Sequence, residues 1–164
     1  MGKPDYPMTT AVRLLREKKV EFRPHLYVYE ERGGTAHSAR ALGVPEHEVV
    51  KTIVMATDEA KPLIVLMHGD REVSTKQLAR ILNVKRVEPC DEPTATRHTG
   101  YVFGGTSPFG TRHSVPVYVE RSIFDLPRLF INGGKRGFLL EINPVDLRKA
   151  LPVIEVDVAT SFTS

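Results

Sequence analysis

Glu48–Thr57, EVVKTIVMAT, together with Leu63–Met67, LIVLM, decides the fold. Val49, Val50, Ile53, Val54 and Met55 make a nearly continuous apolar run, the pattern of a strand covered on both faces. The Asp58–Pro62 connection is short enough for a hairpin, so these two segments form the centre of a sheet. One residue breaks the run. Lys51 shares a strand face with Val49 and Ile53 by alternation. If that face is buried, its ammonium needs an acceptor or a bound anion. If the strand lies at a sheet edge, the lysine instead blunts edge-to-edge pairing.

Upstream, Thr9 or Thr10 can cap a helix running to about Lys19, with Met8, Ala11, Val12 and Leu15 making one apolar face. Val20–Tyr29 alternates as a strand, and Pro24 gives it an edge position. A helix begins at Thr35 and stops at Gly43, in the manner of a C′ glycine. Downstream, Ser74 caps a helix that presents Leu78, Ile81 and Leu82. A short strand over Lys85–Glu88 follows, then a helical turn opened by Asp91 or Thr94 and ended before Gly100. Tyr101–Phe103 reads as the end of a buried strand, and Val115–Glu120, Leu129–Ile131 and Phe138–Ile142 as further strands. A helix from Asn143 or Pro144 to about Leu151 and a tail strand in VIEVDV complete the chain, while residues 1–7 trail. Helices and strands in this order point to an α+β domain with a mixed, largely antiparallel sheet, not a doubly wound one.

The 164 residues, 41% apolar and 26% charged, fit a single domain over 1–164. No apolar run approaches the roughly 20 residues that span a bilayer. MGKPDYPM lacks the apolar core of a signal peptide, so the expected location is the cytoplasm, with no membrane partner. Cys90 is the single cysteine, which excludes an internal disulfide and a cysteine-built zinc site. The net charge of +3 permits an RNA or phosphate partner without requiring one.

Two glycine-rich stretches carry the remaining chemistry. In Tyr101–Gly110, YVFGGTSPFG, Gly104 and Gly105 let a ligand approach the backbone, Thr106 and Ser107 offer hydroxyls, and Pro108 stiffens the chain. Such a loop can aim N–H groups at an anion, or simply turn the chain between strands. In Asn132–Gly137, NGGKRG, Gly133 and Gly134 free the backbone and Lys135 and Arg136 add charge. The same residues also suit a hairpin turn with solvated cations. No two of the six histidines lie three to five apart, so no short metal-ligand pair exists, and no cofactor motif is present. The GxSxG elbow is absent, which makes Ser107 a poor hydrolase nucleophile.

VVKTIVM, TGYVFGGTSPFG and NGGKRG, in this order and spacing, resemble the YbaK family of free-standing aminoacyl-tRNA deacylases. That family is related to the editing domain inserted in bacterial prolyl-tRNA synthetases. The resemblance implies a compact α+β fold around a mixed, barrel-like sheet surrounded by helices. It implies hydrolysis of the ester that joins a wrong amino acid to tRNA, most typically cysteine on proline tRNA. The implied partners are the acylated tRNA end and, for some members, prolyl-tRNA synthetase. Carried over, Lys51 binds the RNA terminus, and Gly104 and Gly105 line the scissile ester. Thr106, Ser107 and Pro108 complete that loop, Gly133, Gly134, Lys135 and Arg136 form the second, and Tyr27 stands beside the pocket. In cysteine-specific members the substrate thiol is the implied nucleophile, whereas other relatives cleave alanine, serine or threonine esters with a water. Leu139 and Thr106 depart from the residues common in relatives, which bears on the amino acid accepted. A non-catalytic module for tRNA ends or a synthetase, and a small-molecule ester hydrolase, are the alternative readings.

Overall fold

The computed structural model describes residues 5–160. Among these residues the strands are β1 (Arg23–Leu26), β2 (Val49–Thr57), β3 (Pro62–His68), β4 (Glu72–Val73), β5 (Val87–Pro89), β6 (Val117–Glu120), β7 (Leu129–Lys135), β8 (Phe138–Ile142), β9 (Val153–Val156) and β10 (Ala159–Thr160), and the α-helices α1 (Thr10–Glu17), α2 (Gly34–Leu42), α3 (Thr75–Leu82), α4 (Glu92–Thr99) and α5 (Leu147–Ala150). The main sheet runs β1-β8-β7-β2-β3-β6-β9, and β5 also pairs with β2. Pairs β1–β8, β7–β8, β2–β3, β2–β5 and β4–β10 are antiparallel, whereas β2–β7, β3–β6 and β6–β9 are parallel. The fold is therefore a mixed α+β architecture with a largely antiparallel sheet flanked by helices.

Alternation on the two central strands explains the apolar runs. Val50, Val54, Ile64 and Leu66 enter one core with Ala11, Val12 and Leu15 of α1. Met55, Leu63, Val65 and Met67 enter another with Leu78 and Ala79 of α3. A smaller cluster seats Val49, Phe130 and Leu139 against Ala39 of α2. Each fully buried aliphatic side chain contributes about 1.5–3 kcal/mol, so covering both faces outweighs the weak propensity of so short a helix as α1.

The end signals work as read. Thr9 Oγ1 accepts from Val12 N–H, Ser74 Oγ from Gln77 N–H and Asp91 Oδ1 from Thr94 N–H. Gly43 closes α2 in the left-handed conformation. Four expectations need correction. The first strand shrinks to Arg23–Leu26, although it does lie at the end of the sheet. Ile81 is exposed, because Leu78 and Ala79 face the core instead. Tyr6, within the segment expected to trail, stacks on Phe138 at 6.1 Å; residues 1–4 lie outside the described residues. Tyr101–Phe103 is not a strand. Gly100 (φ +80°) ends α4 in a turn, and Tyr101 is buried, its hydroxyl donating to Phe109 O at 2.6 Å and meeting Thr10 Oγ1 at 2.7 Å.

Candidate functional site

A cleft of about 590 Å³ opens beside β2. Its position follows from the sheet. β7 is in register with β2 only at Val49 and Val50, and β5 only from Met55 to Thr57. Between them Lys51–Val54 has a paired strand on the β3 side alone. The cleft fills that gap and is walled by the two glycine-rich loops, the segment after β1 and the start of α2. A more open hollow of about 680 Å³ around Tyr6, Arg23 and Arg128 contains none of the candidate site residues.

Tyr27, Lys51, Gly104, Thr106 and Arg136 line the cleft. Lys51 is not on an edge strand, since β2 lies inside the sheet. Its side chain is 22% exposed, and Nζ sits 3.3 Å from Oε1 of Glu72, whose side chain is 80% exposed. So exposed a partner leaves the ammonium available to a stronger anion. Tyr27 donates its N–H to Gly137 O at 2.9 Å, and burial raises its phenol above the ordinary tyrosine range.

Side chains of the second loop clamp it to the first. Asn132 Nδ2 donates to Gly104 O at 3.0 Å, and Asn132 Oδ1 accepts from Gly134 and Lys135 N–H at 2.7 and 3.1 Å. Arg136 Nε donates to Phe103 O at 2.8 Å, and its guanidinium lies 5.1 Å from the Tyr29 ring centre. Asn132–Lys135 thus extends β7, with a register irregularity between Asn132 and Lys135, and the tight turn expected over Asn132–Gly137 narrows to Arg136 and Gly137.

Gly105, Ser107, Pro108, Gly133, Gly134 and Lys135 do not line the cleft. Gly105 N–H donates to Val102 O at 2.9 Å, so it is not free to hold an oxyanion. A Cβ on Gly105 would come 2.9 Å from Arg136 N, which makes it a packing glycine between the loops. Ser107 is fully buried, and its hydroxyl accepts from Phe109 N–H at 3.2 Å. Gly133 leaves room for the Phe138 ring, and Gly134 (φ +98°) for Tyr101. By contrast, no acceptor for Gly104 N–H is found among the described residues.

Sequence reasoning passed over Tyr29, His37, Thr52, Cys90, Phe103 and Asn132 as cleft or clamp residues. His37 donates from Nε2 to Val28 O at 2.8 Å and pairs through Nδ1 with Glu30 at 2.9 Å. Cys90 stands on the cleft wall, where burial raises its thiol above the ordinary range. It is a neutral thiol at pH 7, not a ready nucleophile.

One trio among the described residues has metal-ligand proximity: His47, His68 and Asp70. Its donor atoms already serve the protein. His68 Nδ1 donates to His47 O at 2.8 Å, and His68 Nε2 meets Ser122 Oγ at 2.8 Å. Asp70 holds His47 Nδ1 at 2.8 Å and Arg71 at 3.4 Å.

Residues 30–150 match the aminoacyl-tRNA editing domain. The chain is 28% identical over 137 residues to the Enterococcus faecalis protein EbsC, named as a Cys-tRNA(Pro)/Cys-tRNA(Cys) deacylase; the match covers 83% of this chain and 84% of that one. It is also 28% identical over 107 residues to the proline–tRNA ligase of Streptococcus equi, covering 65% of this chain but 17% of the ligase. Among solved structures, the hypothetical protein APE2540 superposes with a TM-score of 0.85 at 22% identity, over 93% of this chain and 100% of that one. A protein described as a trans-editing enzyme for prolyl tRNA synthetase gives 0.80 at 17% identity, over 95% and 100%. With the family match spanning most of the sequence, the chain belongs to the aminoacyl-tRNA editing domain family.

Proposed function

We propose that the protein is a trans-editing aminoacyl-tRNA deacylase, that its whole sequence forms one editing domain, and that its preferred substrate is cysteine esterified to proline tRNA. Family membership supports the reaction class, and the EbsC likeness supports the amino acid. The observation that carries the reading is geometric: Lys51, Gly104 and Arg136 open onto one cleft. In this reading the Lys51 ammonium holds a phosphate or ribose oxygen of the acceptor end. Gly104 N–H faces the ester carbonyl and stabilises the negative charge that grows on its oxygen.

No protein nucleophile is required. The substrate thiol, held by the cleft walls, attacks its own ester carbonyl and expels the ribose hydroxyl, so positioning supplies most of the acceleration. The neutral state of Cys90 fits that division of labour. The working partner is the acylated tRNA end, beside prolyl-tRNA synthetase in the cytoplasm, where charging takes place. No described helix is long and apolar enough to cross a membrane.

The test is deacylation of a panel of mischarged tRNAs: cysteinyl-, alanyl-, seryl- and threonyl-tRNA. Loss of the cysteinyl ester well above the buffer rate is expected. No turnover of any ester, despite measurable tRNA affinity, would instead make the protein a tRNA-end binding module.

A further inference from the structure

Thr52 lies where β2 has lost its neighbour, and the sheet register fixes which way its backbone points. Val49 O accepts from Gly69 N–H on the β3 side, whereas Val54 O accepts from Cys90 N–H on the opposite side. Alternation therefore turns the N–H and C=O of Val50, Thr52 and Val54 away from β3. Val50 is the last of these residues in register with β7, and the Val54 carbonyl is taken by Cys90. Thr52 falls between them, and among the described residues no strand pairs with it on that side. Its hydroxyl is also shielded from solvent and has no hydrogen-bond partner. Thr52 lines the cleft, so one residue of open strand edge forms part of the wall that carries Lys51.

We propose that Thr52 docks the amino-acid head of the substrate as one residue of added strand. Two strand residues that face each other in an antiparallel pair exchange both of their N–H···O bonds. An α-aminoacyl ester offers the matching pair of groups. Its ammonium donates to Thr52 O, and its carbonyl oxygen accepts from Thr52 N–H. The same main-chain recognition occurs wherever a peptide adds to a sheet edge. Thr52 N–H then supplies, beside Gly104, the second donor to the carbonyl that Gly105 cannot provide. The substrate class narrows accordingly, to esters that carry a free α-ammonium. N-acylated and peptidyl esters are disfavoured, because their amide N–H still reaches Thr52 O but without the charge that strengthens the bond.

This inference rests on the deacylase reading, and its experiment separates the two. The aminoacyl-tRNA cleaved fastest in the panel is compared with its N-acetyl and N-methyl counterparts. The N-acetyl ester should be cleaved at least about tenfold more slowly, for want of one charge-assisted hydrogen bond. The N-methyl ester, which keeps ammonium hydrogens, should retain most of the rate. Equal rates for the free and acetylated esters overturn the inference, and so does an N-methyl ester as slow as the acetyl one. Independently, amide-linked cysteinyl- and alanyl-adenosine, which cannot be hydrolysed, are titrated into the labelled protein while amide exchange is followed by NMR. Slowed exchange at Thr52 is expected; no binding, or binding that leaves Thr52 unchanged, overturns it. A protein that cleaves no aminoacyl-tRNA defeats the deacylase reading, whereas the Thr52 amide still reports on docking.

Discussion

Gly104 and Gly105 are adjacent, and each is a glycine for its own reason. Gly104 has φ +84°, and a Cβ there would meet the Tyr29 hydroxyl, the far end of a side chain that can move. Gly105 has no such φ, but its Cβ would meet the main chain of Lys135 and Arg136, which cannot yield without parting the loops. Gly105→Ala should therefore cost about 1–3 kcal/mol, as overpacking does, and lower activity through the displaced Arg136. Thermal unfolding together with deacylation rate reads both effects, and a variant as stable and active as the parent would show that the loops part freely. Lys51→Ala makes the opposite separation. Its one partner is an exposed glutamate, so stability should move by less than about 1 kcal/mol while most deacylation disappears. A stable and fully active Lys51→Ala protein would reduce the lysine to a surface cation.

At the end of β3 stands a polar cluster with no local signature in the sequence. His47 and His68 stack with ring centres 3.8 Å apart, and Ser122 Oγ lies 2.8 Å from His68 and 2.9 Å from Glu120. His47 precedes β2, His68 ends β3, Glu120 ends β6 and Ser122 follows it, and no spacing of three to five announces them. Burial holds the His68 pKa below its ordinary value near 6.5; the hydrogen bond to His47 O, Asp70 and Glu120 oppose it, and the His47 ring adds to the lowering. The sign follows from linkage. Below about pH 6.5 the unfolded chain binds a proton that the folded His68 refuses, so stability is complete above that pH and falls as pH drops toward the folded value. The urea midpoint of the parent should fall between pH 7.5 and 5.5, and His68→Gln should flatten that slope. An identical slope in both proteins would assign the effect to other groups. Legibility at this scale divides by range. Caps, C′ glycines and the β2–β3 hairpin are local and were readable. The open stretch at Thr52 depends on where β7 and β5 stop pairing, which is set by partners about 80 and 35 residues away and leaves no local trace.

Across the whole molecule, element order was enough to name the α+β class, because helices and strands that do not alternate cannot be doubly wound. The motifs likewise pointed to two loops that wall one cleft. They could not separate residues that face the cleft from those that pack the loops together, since both tasks select glycine. The cleft draws its walls from the segment after β1, from the start of α2, from β2 and from both loops. It forms only once sequence-distant strands have paired, as β2 and β7 do in parallel. Such a site has no preformed part, and its integrity should be lost in the same step as the sheet. The chain holds five tyrosines and no tryptophan, so near-UV dichroism reports on tyrosine environments. Tyr27 and Tyr29 stand on the cleft wall, and Tyr101 anchors the first loop from beneath. Near-UV and far-UV signals should therefore trace one coincident transition in urea, as a single cooperative domain does. If the near-UV change came at lower urea, the loops would melt from an intact sheet. The cleft would then be a separately ordered unit, and substrate analogues should shift that early transition alone by binding the ordered form.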